Sequence, residues 1–200
     1  MNINFQKILE LVKKNKFNDA LNKIDEIPNH QKNFDLTSLK GLIYLNLKEY
    51  KKSYINYSIA IDLNKSSFFC FAQRGTASFE MGKFSQAIND FEKCFELNNK
   101  SYIALENIGK CYSNLGNNSK AIQFYQSALD LDPKNRRLIE TIAEKLTEMD
   151  IEDDKKNSIS QINSAIKKIK YKYSPEIKIE DKDVKNLISK SENLINKNFS

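Results

Sequence analysis

The chain has 200 residues, 40% of them apolar and 29% charged, the usage of an ordinary globular protein with material for a core. Five glycines and three prolines are too few for the hairpin turns of a sandwich or barrel and for a Gly-rich phosphate loop. A mean hydropathy of −0.60, with no run near the ~18 apolar residues of a spanning helix, speaks against a membrane-embedded chain. The net charge of +6 is nearly all lysine, only Arg74, Arg136 and Arg137 being arginine. Without many of the planar forks that read phosphates and base edges, no nucleic-acid partner is expected. What remains is an all-α protein.

Taken in chain order, the N-terminus Met1-Asn2-Ile3-Asn4-Phe5-Gln6-Lys7 has no apolar stretch of a secretory signal, and a cytoplasmic location is expected. Residues 2–27 then read as a helical pair ended by Pro28 and Asn29. Its Lys16-Phe17-Asn18-Asp19-Ala20-Leu21 mimics Lys83-Phe84-Ser85-Gln86-Ala87-Ile88, so the pair is an early copy of something that recurs. His30, the only histidine, follows in a loop and is expected to be exposed. The segments beginning at Phe34, Phe68 and Tyr102 align at a spacing of 34 residues. Gly41, Gly75 and Gly109 share one column; Ser53, Ala87 and Ala121 another; the aromatics Tyr57, Phe91 and Tyr125 a third. Ala60, Cys94 and Ala128, and then Leu63, Leu97 and Leu131, complete the register, and Pro133 closes the last copy. Apolar residues within each unit recur at helical spacing. Small residues at the glycine column let two helix axes approach to roughly 8–10 Å, and the aromatics are expected to fill the space between one hairpin and the next.

These columns resemble the tetratricopeptide repeat, a 34-residue pair of antiparallel helices. The run from Gly109 to Pro133, with Leu115-Gly116, Ala121, Tyr125, Ala128 and Leu131, carries the resemblance best. It implies an all-α, right-handed α-solenoid in which no hairpin buries its face alone and stacking is obligatory. The expected division is 1–33 as a degenerate first repeat with Ile8 in the glycine column, then repeats at 34–67, 68–101 and 102–135. A capping helix follows at 136–149, with Ala143 in the glycine column. Residues 150–200 are expected to form a linker and Lys-rich amphipathic tail helices. In that tail Ile159, Ile162, Ile166 and Ile169 recur at spacings of three and four beside Lys167, Lys168, Lys170 and Lys172. After Pro175, Val184, Leu187, Ile188, Leu194 and Ile195 form a second stripe.

No catalytic constellation is visible. One histidine leaves a Ser-His-Asp arrangement without a local orienting acid and His/Cys metal sites without ligands. Cys70, Cys94 and Cys111 are odd in number, lack C-x-x-C spacing and read as buried thiols. No enzyme activity, cofactor or metal is expected. The resemblance implies that the first helix of each hairpin lines a groove for a partner protein's peptide or helix. Carried over by position, the principal groove candidates are Leu42, Leu45, Asn46, Phe69, Ala72, Thr76, Phe79, Ile103, Glu106, Asn107, Lys110, Arg137, Glu140 and Glu144. Asp35, Ser38 and Glu80 flank them on the same helical stripes. The chaperone-tail clamp of the family needs cations where this chain has Phe69, Gln73, Ile103 and Asn107, so that use is not expected. The expected role is a non-catalytic scaffold or adaptor binding a segment with apolar anchors and a basic flank, since the groove reads as apolar toward the N-terminus and acidic toward the cap. Two other readings stay open at this point. One is the substrate-recruiting arm of a split or truncated transferase or oxygenase; the other is a membrane-surface adaptor held by the basic segment 157–173.

Overall fold

A computed structural model describes residues 3–150; the linker and tail expected beyond them lie outside the described residues. Among the described residues there are nine α-helices and no strand. They are α1 (Ile3–Lys13), α2 (Phe17–Asp25), α3 (Phe34–Asn46), α4 (Tyr50–Leu63), α5 (Phe68–Glu80), α6 (Phe84–Leu97), α7 (Tyr102–Asn114), α8 (Asn118–Leu131) and α9 (Arg136–Asp150), with one 3-10 turn at His30–Lys32. The chain divides into two compact units, Met1–Asn99 and Lys100–Ser200. In the first, α1/α2, α3/α4 and α5/α6 pair as hairpins and α4 packs on α5; in the second, α7 pairs with α8 and α8 packs on α9.

Local chemistry sets the helix ends. Asn33, Ser67, Ser101 and Asn135, spaced by 34, each accept the backbone N–H three residues ahead, at 3.1, 3.3, 3.3 and 3.3 Å. Each thus satisfies a donor that the first helical turn leaves unpaired. The first helix of each hairpin ends on a residue in the left-handed region: Asn15, Lys48, Gly82 and Gly116, with φ of 56, 59, 72 and 76°. The N–H of the next residue then closes back on the last turn, Lys83 on the Ser78 carbonyl at 2.9 Å and Asn117 on that of Tyr112 at 2.9 Å. This is the glycine-favoured helix stop, and Lys48 makes it without glycine.

The glycine column also meets the aromatic column of its own hairpin. A Cβ built on Gly41 would lie 2.9 Å from the Tyr57 ring, on Gly75 2.9 Å from Phe91, and on Gly109 2.6 Å from Tyr125. Each aromatic ring therefore packs against the glycine of its own hairpin, and the two columns are one contact. Ser53, the polar member of its column, is buried and donates to the Gly41 carbonyl at 2.9 Å. In the first hairpin Ile8 stands where the others have glycine and is buried with Ala20, Leu21, Ile24, Leu36, Leu39 and Ile43. The three cysteines are buried.

His30 departs from expectation. Its side chain is only 12% exposed, because the 3-10 turn tucks it under α3. Its Nδ1 donates to the Ile27 carbonyl at 3.1 Å, and its Nε2 lies 3.4 Å from Lys40 Nζ and 3.4 Å from Asp25 Oδ1. Lys40 itself pairs with Asp25 at 2.6 Å. This cluster joins α2 to α3 at the place where the 34-residue spacing falls one short.

Candidate protein-binding faces

In the first unit the candidates occupy α3 and α5, which touch one another. A stripe at spacings of three and four lies along one side of a helix, and the stripe through Asp35, Ser38, Leu42 and Leu45 is matched on α5 by Phe69, Ala72, Thr76 and Phe79. Leu42, Leu45, Ala72, Thr76 and Phe79 are half-buried and Asn46 is exposed. Phe69 is 43% exposed, its ring edge-on to Tyr57 at 6.3 Å. Phe79 turns edge-on to Phe84 at 5.4 Å, so the two phenylalanines differ: one presents a ring to solvent, the other largely supports the hairpin. Asn46 and Thr76 hydrogen-bond carbonyls of their own helices, those of Leu42 and Ala72, at 2.9 and 3.0 Å.

Behind this face sits a buried charged joint. Arg74 donates from Nε and Nη2 to both oxygens of Asp90 on α6, at 3.0 and 2.7 Å, and from Nη1 to Ser58 Oγ on α4 at 3.2 Å. Its guanidinium also lies over Tyr54 and Phe71, 5.4 and 5.5 Å from their centroids. Burial works against the Arg74 charge, but the Asp90 carboxylate outweighs it and the net shift is upward. A bidentate fork with stacked rings is what an arginine, and not a lysine, supplies.

In the second unit the candidates lie on α7 and α9. Ile103 is 54% exposed. Glu106, expected to line a groove, is buried, and two cations hold it there: Lys110 at 2.8 Å and Arg137, which also hydrogen-bonds it. Lys110 reaches Asn107 Oδ1 as well, at 3.3 Å. Glu140 pairs with Arg136 at 3.2 Å, while Glu144 is exposed. Beneath them the phenol of Tyr125 is pushed up to about 12, by burial first and then by the Glu106 charge, and burial pushes the Cys111 thiol up to about 12. No group of three or more His, Cys, Asp or Glu that could hold a metal occurs among the described residues, and no helix among them is long and apolar enough to cross a membrane.

Comparison with solved structures decides the fold. A crystal structure of MamA superposes with a TM-score of 0.71 at 17% identity, over 88% of this chain and 96% of that one. YrrB, a TPR protein with an unusual peptide-binding site, gives 0.63 at 16% identity over 78% and 80%. The first TPR of Spaghetti (RPAP3), bound to an HSP90 peptide, gives 0.55 at 21% identity over 58% and 92%.

The chain has the tetratricopeptide-repeat fold.

The model of the family "Regulator of microtubule dynamics protein 1-3" matches residues 71–150, a stretch of the repeat region running from α5 to α9. No curated protein matches the chain in sequence. The TPR assignment explains which residues repeat: the glycine–aromatic contacts, the caps and the left-handed stops from Lys48 onward are all spaced by 34. Arg74 and Asp90 stand outside the pattern, since the next copy has Ile108 and Phe124 in their places. The sequence signal for them was a lone arginine in the first 135 residues facing an aspartate 16 positions on.

Proposed function

We propose that the protein is a non-catalytic adaptor that binds a peptide or helix of a partner protein on the TPR faces carrying the candidate residues. Phe69 carries this reading. An aromatic ring left 43% exposed on a well-packed helix, beside half-buried Leu42 and Leu45, leaves apolar area for a partner to cover. The peptide held by the RPAP3 repeat and the peptide site of YrrB support the same use of the fold. In the second unit, Ile103, Asn107 and Lys110 on α7 with Arg137, Glu140 and Glu144 on α9 form a candidate surface of their own. The test is affinity purification with the whole chain against Phe69→Glu and Leu45→Glu. The expected result is loss of the co-purifying partner with the helical circular-dichroism spectrum unchanged. If both variants fold normally and keep every partner, the reading fails.

A further inference from the structure

The charges on α3 and α5 give the partner a polarity. The two helices carry four charged side chains: Asp35, Lys40, Arg74 and Glu80. Both cations are already engaged from behind the face, Lys40 by Asp25 at 2.6 Å and Arg74 by both oxygens of Asp90. Their side chains are 12% and 19% exposed. The two acids are exposed. Among the described residues Asp35 has no ion pair, and Glu80 meets only the neutral hydroxyl of Tyr50. Glu80 also closes the C-terminal end of α5, where the helix dipole adds to its negative field. In the second unit two cations share the single buried carboxylate of Glu106, while Glu144 is exposed.

We propose that the α3/α5 face takes a basic partner segment, its apolar side chains set against Phe69, Leu42 and Leu45 and its lysines or arginines against Asp35 and Glu80. This rests on the preceding reading that the face binds a partner. It places an attraction for a basic flank in the first unit. Cations of the segment gain a second contact from the exposed ring of Phe69, and opposite charges at the rim steer encounter and select against acidic competitors.

The test pans a phage-displayed library of random dodecapeptides on the full chain and measures the enriched peptides by fluorescence anisotropy. Enriched sequences are expected to pair apolar residues with Lys or Arg. They should weaken about tenfold on Asp35→Lys/Glu80→Lys and lose affinity at higher salt. Phe69→Glu should abolish binding, with Leu45→Glu as the second variant and circular dichroism as the folding control for each. If no peptide is enriched, or enriched peptides bind Phe69→Glu and Leu45→Glu as well as the native chain, the partner reading itself falls, and the polarity with it. If peptides are lost on Phe69→Glu but are acidic or uncharged, or ignore the Asp35/Glu80 reversal, the face binds a partner and the polarity inference alone is overturned.

Discussion

The two units meet the same packing position with opposite chemistry. Lys40, Arg74 and Ile108 are one column of the repeat. In the first unit the column is cationic and half-buried: Lys40 reaches back to Asp25, and Arg74 ties α5 to Ser58 on α4 and Asp90 on α6. In the second unit Ile108 is 1% exposed and the joint is apolar. An apolar contact is favourable in many registers, whereas a bidentate ion pair with a third hydrogen bond is satisfied in one. The first unit therefore accepts a desolvation cost that a hydrophobic pair avoids and gains a fixed orientation of α5, the helix that carries Phe69.

The largest effect that would break this comparison comes from removing one partner of the buried pair. Arg74→Ala is expected to cost about 3–5 kcal/mol, because Asp90 is left charged and buried. Arg74→Met with Asp90→Leu, which makes the first unit resemble the second, should restore most of that. Urea unfolding of the three proteins decides it, and a double variant as unstable as the single one would contradict the account.

Next in size is the glycine–aromatic contact, which is tighter in the second unit. Gly109→Ala drives its methyl into Tyr125, and Gly75→Ala meets Phe91 at a slightly longer distance. Both should destabilise, Gly109→Ala more, within the roughly 1–3 kcal/mol of core overpacking, again by urea unfolding.

Alkaline pH should act on the first unit through Cys70 and Tyr57, whose ionisation burial also pushes up, and on the second through Cys111 and Tyr125. Burial holds the latter two neutral up to about 12, whereas in the unfolded chain a thiol ionises near ~8.5 and a phenol near ~10. Their contribution is intact below those values and falls as pH rises toward 12, by about 1.4 kcal/mol per pH unit for each group. Thermal unfolding at pH 7 and 10 should show the drop, and Cys111→Ala should lessen it.

The smallest effect is a gain. Among the described residues the buried Tyr57 hydroxyl has no hydrogen-bond partner, and the next copy has Phe91 there. Tyr57→Phe should raise stability by about 1 kcal/mol, read as a higher midpoint in urea.

The fold was legible because repetition multiplies weak signals. One glycine says little, but Gly41, Gly75 and Gly109 in phase with three aromatics specify a hairpin. What the columns did not show was which surfaces meet: the aromatic ring covers its own glycine, a contact set by side-chain direction and not by spacing. Departures from a column were harder still. Lys48 occupies the left-handed stop where Gly82 and Gly116 follow, and its side chain conceals the backbone requirement. At the candidate faces, position alone put Glu106 on the surface. The structure buries it because Lys110 is one turn ahead on the same helix and Arg137 approaches from α9, a meeting 31 residues apart in the chain. Phe69 and Phe79 look alike in sequence and separate only through their neighbours, Tyr57 and Phe84.

The tucked position of His30 has a practical consequence. It is the only imidazole in the chain, and it is lodged where α2 meets α3, between a carboxylate and an ammonium. Its two ring-proton resonances can be identified without isotope assignment. Any opening of the first hairpin away from the second must pull that ring from between Asp25 and Lys40. The chain thus carries its own reporter for local unfolding, placed at the one junction where the repeat spacing slips.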